Sequence, residues 1–330
     1  MKKRVLITGA SGFVGFHLIE KALQQEMEVF AAVRPSSKVE HLMSLPVKFI
    51  TLNLSDKAVL KSQLEENQFD YIIHGAGLTK AKTQQEYDYV NALLSRNLAE
   101  AASTASIPLK KFVFISSLAA QGPLNESSGI IESDGPAHPV TAYGRSKLLA
   151  EEYLSHVESL PLVVLRPTAV YGPREQDIYI LISSIARGLE PYIGRLEQKL
   201  SFIYVKDLAD AVVLALQSEK AGPDAYNVSD GRVYDRYALA DIVKRHLGKS
   251  TLKFHLPTGI VAVLASLMEG IYSFSKKTPA LNKEKLNELS AVNWSCSIGN
   301  IQRDLNFIPA YDLERGLAET LDWYKTNKWI

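Results

Sequence analysis

A single cysteine, Cys296, among 330 residues leaves no partner for an internal disulfide. That excludes a disulfide-stapled scaffold and fits a reducing, cytoplasmic setting. The residue reads as a small, packed apolar side chain. Neither sign of charge dominates: Lys plus Arg number 37 against 36 Asp plus Glu, a formal net charge of +1. Such a balance gives no electrostatic footing for nucleic acid or an anionic membrane. Long hydrophobic runs are missing too. The longest, Gly259–Met268, stops at Glu269, short of the roughly 20 residues that span a bilayer. Stable membrane insertion is therefore not expected, and the run reads as a core helix or one lining a substrate cleft, with contact at a membrane interface as the lesser alternative. Met1-Lys-Lys-Arg4 leads straight into a strand pattern, with no apolar leader or cleavage site, which points to a cytoplasmic protein. No cluster of histidine, cysteine or carboxylate has metal-ligand spacing, so no metal is expected. Repeats and low-complexity segments are absent as well.

What is present suffices for a full core: 46% of residues are hydrophobic and 22% charged, enough for one large domain or two unequal lobes. Apolar runs at Val5–Thr8, Val29–Val33, Val47–Leu52, Tyr71–His74, Phe112–Ser116 and Leu162–Leu165 read as strands. Helical patterns lie between them at Phe13–Gln25, Lys57–Glu66, Tyr87–Ser103 and Tyr143–Val157. Strands apolar on both faces, alternating with helices, predict an α/β fold: a Rossmann-type, doubly wound parallel sheet. After Arg166 the pattern loosens around Pro167, Gly172, Pro173, Pro191 and Gly194. The expected division is a dinucleotide-binding domain over 1–166 and a smaller, mainly substrate-binding lobe over 167–330, with segments returning to the first. Leu313, Leu317, Leu321 and Tyr324 share one face of a C-terminal docking helix.

Gly9, Gly12 and Gly15 follow the first strand and open the first helix. Glycines there permit a tight turn and close backbone approach to a pyrophosphate, which sits on the helix N-terminus. A glycine triplet alone is weak, because strand-to-helix turns use glycine for packing; its place in an alternating chain favours dinucleotide binding. The second strand decides between cofactors. An NAD site places a carboxylate at its end to accept from the ribose 2′-hydroxyl. Here the chain reads Ala32-Val-Arg34-Pro-Ser36-Ser-Lys38. Arg34 offers planar donors to a 2′-phosphate, with Ser36 and Lys38 beside it; the alternative is a solvated basic loop. The missing carboxylate points to NADP rather than NAD.

Thr141-Ala-Tyr143-Gly-Arg-Ser-Lys147 carries the chemistry. Residues four apart share a helix face, so the Lys147 ammonium is expected beside the Tyr143 phenol. A nearby cation lowers a phenol below its usual value of about 10. That suits a general acid/base at a C–OH/C=O centre. Upstream, a buried strand ends in two serines, Ser116 and Ser117, either of which could hold the reacting oxygen.

Taken in order, these motifs resemble the extended branch of the short-chain dehydrogenase/reductase superfamily, the NAD-dependent epimerase/dehydratase family. Thr8-Gly-Ala-Ser11-Gly-Phe13-Val14-Gly15 is similar to its nucleotide fingerprint. His74-Gly75-Ala76-Gly77 resembles the cofactor-side loop after strand four. Asn53-Leu54 is similar to the pair beside adenine, with Asn for the usual Asp, and Asn91 to the asparagine near the proton-relay region. The resemblance implies that Ser117, Tyr143 and Lys147 are the catalytic serine, tyrosine and lysine. Ser116 then keeps a structural bond to the backbone, and His74 is a packed histidine. Arg166-Pro167-Thr-Ala-Val-Tyr171-Gly-Pro173 and Val205-Lys-Asp207 are similar to the segments crossing to the substrate lobe. Pro167 is expected at the cofactor, and Asp207 as the cap of a helix over Leu208–Gln217.

Departures from the family narrow the reaction. Dehydratases follow the serine position with an Asp-Glu pair; this chain has Leu118-Ala119. Nucleotide-sugar epimerases carry Asn at the position of Ala169 and Arg at that of Leu200, contacts that a diphosphate needs. Arg174, Arg187 or Arg195 could stand in, or be solvated surface charges. The reading that remains is reversible hydride transfer at a secondary alcohol or carbonyl of a small apolar or aromatic substrate. Its expected contacts are Thr79, Ala119, Tyr171, Tyr192 and Tyr204, although each tyrosine could equally be core. The alternatives are a nucleotide-sugar 4-epimerase using the same triad and a non-catalytic NADP sensor. A small molecule is the expected partner, and a homodimer is compatible with the chain.

Overall fold

The computed structural model describes residues 2–219, 224–272 and 282–330. Seven parallel strands form the central sheet, ordered β11–β6–β5–β4–β1–β2–β3. They are β1 (Arg4–Thr8), β2 (Glu28–Ala32), β3 (Lys48–Ile50), β4 (Tyr71–His74), β5 (Lys111–Ile115), β6 (Leu162–Pro167) and β11 (Asp224–Val228). Successive side chains leave a strand on opposite faces, and both faces of β1 are covered. Val5 and Ile7 pack with helices α1 (Phe13–Gln24), α7 (Val205–Gln217) and α11 (Gly299–Leu305). Leu6 packs with α2 (Lys57–Asn67), α4 (Leu94–Thr104) and α5 (Ala142–Ser155). This two-sided burial is why the strands read as unbroken apolar runs.

The third helical run is irregular. A short α3 (Gln84–Tyr87) passes through a π-helical turn, Asp88–Leu93, into α4. The turn holds the fully buried Asn91; π-turns inside helices often mark functional positions.

The smaller lobe has its own core. Around it lie α6 (Asp177–Ala186), α8 (Ala238–Leu247) and α12 (Leu313–Thr326). Three two-stranded pairs complete it: β7 (Ala169–Tyr171) with β10 (Phe202–Tyr204), β8 (Leu189–Ile193) with β13 (Leu252–Leu256), and β9 (Lys199–Leu200) with β12 (Tyr234–Asp235). Leu313, Leu317, Leu321 and Tyr324 are all 0% exposed, so α12 docks by the expected face. Each such side chain contributes roughly 1.5–3 kcal/mol of transfer free energy. Cys296 is buried, and burial pushes its thiol up to about 12.

Two expectations fail here. The helix expected to start at Leu208 starts at Val205, so Asp207 falls within its first turn. The Asp207 carboxylate instead accepts the amides of Ala310 (3.1 Å) and Tyr311 (2.9 Å), tying the chain before α12 to the lobe. Of the two main readings of the apolar run Gly259–Met268, a core helix or one lining a cleft, the core helix is the one that fails. The run forms α9 (Thr258–Tyr272), in which only Val261 and Ala265 are buried. The next helix is α10 (Lys283–Ser290).

Candidate active site

The site lies at the C-terminal ends of β1, β4 and β5, where an open parallel sheet presents its loops to a ligand. Gly9 has φ +72°, and a Cβ there would lie 2.6 Å from the Gly75 backbone. At Gly15 a Cβ would lie 2.2 Å from the Gly9 carbonyl oxygen. Only hydrogen at both positions allows the turn after β1 to nest between α1 and the loop after β4. Gly12 is the N-cap of α1 and supplies no side-chain cap, unlike Thr141, whose hydroxyl accepts the Gly144 amide of α5 at 3.0 Å. The first-turn amides of α1 at Phe13, Val14 and Gly15, with Ser11 half-buried beside them, form an uncapped, electropositive helix end. It fits a dinucleotide pyrophosphate.

A buried hydrogen-bond chain braces this cradle. The Ala76 amide donates to Thr8 Oγ1 (3.1 Å), which meets His74 Nδ1 (2.7 Å). His74 Nε2 meets Ser95 Oγ (2.7 Å), which donates to the Asn91 carbonyl (2.7 Å). One direction of donation satisfies every member: Thr8 donates to Nδ1, and the ring's proton sits on Nε2. Burial and the Lys147 charge draw the imidazole down to about 3, so it stays neutral, packed and satisfied, as expected. The Asn91 amide closes the brace, accepting from Leu78 N–H (2.7 Å) and donating to the Leu78 carbonyl (3.0 Å) and Ser146 Oγ (3.0 Å). A Cβ on Gly77 would come within 3.0 Å of Asn91 Oδ1 and 3.5 Å of Lys147 Nζ. The Gly75–Gly77 loop therefore bridges the glycine cradle and the lysine.

Beyond β2, Arg34, Ser36 and Lys38 are exposed on one turn, closed by Arg34 N–H donating to Ser37 Oγ (3.0 Å) and Ser37 N–H to the Arg34 carbonyl (2.9 Å). Asn53 is exposed, and its side-chain oxygen accepts the Ser55 hydroxyl at 2.7 Å. Leu54 accepts from Asn97 Nδ2 through its carbonyl at 3.0 Å. Pro167 is buried at the end of β6.

Ser117 Oγ accepts the Ala119 amide at 3.2 Å and stands near enough to act on the Tyr143 phenol. Burial pushes the Tyr143 phenol up to about 12, against the downward pull of a hydrogen bond from Ser117. The expected lowering by Lys147 is absent. The lysine Nζ donates to the Ile115 carbonyl at 2.8 Å and lies 4.7 Å from the centre of the Phe114 ring. Burial draws Lys147 down to about 8, and Glu151, one turn along α5, opposes that. Sharing a helix face does not commit an ammonium to its neighbour when a buried carbonyl lies closer. Ser116 points away, as expected for its strand position, but its hydroxyl donates to Glu151 rather than to the backbone. Glu151 also takes a two-pronged grip from Arg166 Nε (3.0 Å) and Nη2 (2.6 Å), so a fully paired ion pair lies beneath the lysine.

The three tyrosines expected at the substrate belong to the lobe core instead. Tyr171 is 1% exposed and donates to the Asp312 carbonyl at 3.1 Å. Tyr192 is buried and donates to Glu190 at 2.7 Å. Tyr204 is 0% exposed, its ring 4.4 Å from that of Tyr311. Thr79 is exposed and Ala119 half-buried, on the loops flanking Tyr143 and Ser117.

Unforeseen from sequence is α10. Its Glu284 accepts from Ala142 N–H (2.9 Å) and Arg145 Nη2 (3.0 Å) at the start of α5. Glu288 stands near enough to raise the Tyr143 phenol. No local signal links residues some 140 positions apart. Among the described residues, no three His, Cys, Asp or Glu side chains could hold a metal.

These features agree with what the chain is similar to. A model of the NAD dependent epimerase/dehydratase family matches residues 5–229. Ceramide reductase of Caulobacter vibrioides is 27% identical over 332 residues, covering 99% of this chain and 96% of that protein. The decarboxylating sterol-4-alpha-carboxylate 3-dehydrogenase of Candida albicans is 26% identical, covering 97% of each. The UDP-glucose 4-epimerase of Thermotoga maritima, solved with UDP-glucose, superposes with a TM-score of 0.78 at 22% identity, covering 98% of this chain and 99% of that one. At that identity the likeness is one of fold. With a parallel sheet, a glycine cradle and a family match running from β1 through β11, the chain belongs to the NAD dependent epimerase/dehydratase family.

Proposed function

We propose that this protein is an NADP-dependent oxidoreductase acting reversibly at a secondary alcohol or carbonyl of an apolar, lipid-like substrate. The observation that carries the reading is the chemistry where nucleotide-sugar enzymes of the family grip a diphosphate. At the positions that the family resemblance aligns with those contacts the chain has Ala169 and Leu200, and neither side chain carries charge for a phosphate. The Arg174 guanidinium is stacked on rings, 4.2 Å from the Phe16 centre and 5.5 Å from that of Trp323. Two relatives of nearly equal length are, by their names, enzymes of lipids, a ceramide and a sterol.

Bound at the cradle, the nicotinamide would accept or supply the hydride. The chain's own residues do the rest. The Ser117 hydroxyl holds the reacting oxygen. The Tyr143 phenol gives its proton to that oxygen as C=O becomes C–OH, and takes it back in the reverse direction. A phenol pushed up by burial resists losing its proton, so the Lys147 cation is needed close by when the phenolate forms. Ile115, Phe114 and Glu151 hold it at the Ile115 carbonyl, so the ammonium would have to turn toward the phenolate as the proton leaves.

The same geometry sets a pH dependence. The Lys147 cation exists below its value of about 8, so kcat/KM should fall as pH rises through the lysine's titration. Glu151→Gln removes the anion that favours the cation and leaves the Arg166 charge uncompensated; both changes make ammonium less favourable. The alkaline limb should therefore move toward acid. A limb unmoved in a variant that still folds and binds NADPH would remove Glu151 from this role.

Substrate class is tested by titration. UDP or a UDP-sugar should bind no tighter than millimolar, about −4 kcal/mol, and Leu200→Arg with Ala169→Asn should improve that binding. Net NADPH oxidation with an apolar ketone and an exchangeable cofactor would support the reductase. Micromolar affinity for a nucleotide sugar, together with a cofactor retained through purification, would overturn it in favour of the 4-epimerase.

A further inference from the structure

We propose that Glu284 of α10 is a positioning residue for Tyr143: its carboxylate fixes the first turn of α5 and so aims the phenol at the reacting oxygen. The inference rests on the reading of Tyr143 as the proton donor. Tyr143 is the second residue of α5. The first amides of a helix have no partner inside it, so a side chain there is only as fixed as the groups that take them. Thr141, the N-cap, takes the Gly144 amide at 3.0 Å. The Ala142 amide, directly before Tyr143, is taken by Glu284 at 2.9 Å, from 142 positions along the chain. The same carboxylate oxygen accepts Arg145 Nη2 at 3.0 Å. One carboxylate thus grips the turn on both sides of Tyr143, and its charge suits a helix N-terminus.

The grip extends to the helix that supplies the phenol's ring neighbour. Arg145 Nε donates to Gln84 Oε1 at 2.9 Å, and Gln84 Nε2 donates to the Ala142 carbonyl at 3.2 Å. Gln84 opens α3, which ends in Tyr87, and the Tyr87 ring is centred 6.2 Å from that of Tyr143. Glu284, Ala142, Gln84 and Arg145 therefore close a hydrogen-bonded circuit at the start of α5.

Two ordinary roles fit less well. An ion pair with the exposed Arg145 would contribute little and would have no use for the Ala142 amide. As an anchor for α10 the carboxylate is redundant, because the other end of that helix is held without it. Gln198 Nε2 donates to the carbonyls of Leu289 (2.8 Å) and Ala291 (2.7 Å), and Trp294 Nε1 donates to that of Glu288 (3.1 Å). Leu286, between the two ends, is buried. Removing the Glu284 carboxylate should leave α10 seated and loosen only the turn that carries Tyr143.

In the full-length protein, Glu284→Ala should speed hydrogen exchange of the Ala142 amide by about tenfold or more. With NADPH and cyclohexanone as the apolar ketone, kcat should fall by about 10–100-fold, while KM and NADPH affinity stay close to those of the wild type. Glu284→Gln keeps an oxygen for the Ala142 amide and should recover most of that loss. In a Tyr143→Phe background Glu284→Ala should cost little more, because no phenol is left to misplace. A merely structural role would cost as much there as in the wild type. The inference falls if Ala142 exchanges at the wild-type rate, if kcat does not move, if Glu284→Gln is as slow as Glu284→Ala, or if the losses from Glu284→Ala and Tyr143→Phe multiply. Slow Tyr143→Phe beside a fast Glu284→Ala would sink the positioning role and spare the triad. A fast Tyr143→Phe, or a wild type that turns over no ketone, would sink the reading on which the inference rests, and the inference with it.

Discussion

Tyr143→Phe should lower turnover by about 10²–10⁴-fold while leaving NADPH affinity close to that of the wild type. The substitution removes one oxygen and little else. The ring stays packed beside Tyr87, whose centroid is 6.2 Å away. The Lys147 ammonium is held by the Ile115 carbonyl at 2.8 Å rather than by the phenol, so the lysine keeps its place. Ser117 loses the phenol and keeps the bond that its hydroxyl oxygen accepts from the Ala119 amide at 3.2 Å. The loss should therefore fall on kcat, with KM changing far less, because the missing proton acts on the reacting oxygen and not on binding. Near-wild-type turnover on an identified substrate would show that another group moves the proton. The whole triad assignment would then fail.

The parts of this site that were legible in the sequence are those whose physics is local. Strands β1, β4, β5 and β6 are apolar on both faces, so their runs nearly coincide with their observed bounds. The glycines after β1 announce themselves because a Cβ at Gly9 or Gly15 would strike backbone. What stayed hidden depends on partners far along the chain. Strand β11 is DAYNV, and its pattern is broken by a buried Asn227, which donates through Nδ2 to the Ile131 carbonyl at 3.1 Å. Tyr171, Tyr192 and Tyr204 show the same letters whether they face a cleft or a core; here the core took them. The run in α9 has the composition of a buried helix, and composition does not record what lies opposite it. Asp207 directly precedes the apolar run from Leu208, as a cap would, yet it lies within the first turn of α7 and its acceptors are used a hundred residues on. The four-residue spacing of Tyr143 and Lys147 brought the two onto one face, but it said nothing of the Ile115 carbonyl that competes for the ammonium.

Arg34→Ala should weaken NADPH binding by about 10–150-fold and leave NADH nearly untouched. Rossmann sites that select NAD hold the ribose 2′-hydroxyl with a carboxylate at the end of the second strand. The equivalent stretch here, Ala32 to Lys38, has no acid, and its turn presents Arg34, Ser36 and Lys38 to solvent together. A guanidinium meeting a 2′-phosphate forms a charge-assisted hydrogen bond worth roughly 1.5–3 kcal/mol, which is the stated range once converted. Exposure argues for the lower end, since water and salt screen the contact, and raising the salt should narrow the gap between wild type and variant. Lys38→Ala should have a smaller effect, because an ammonium lacks the planar fork. Calorimetric titration separates the outcomes. Equal loss for both cofactors would place Arg34 elsewhere than at the 2′-phosphate. Tighter binding of NADH than NADPH by the unmodified protein would overturn the preference for NADP, and the basic turn would then be a solvated loop.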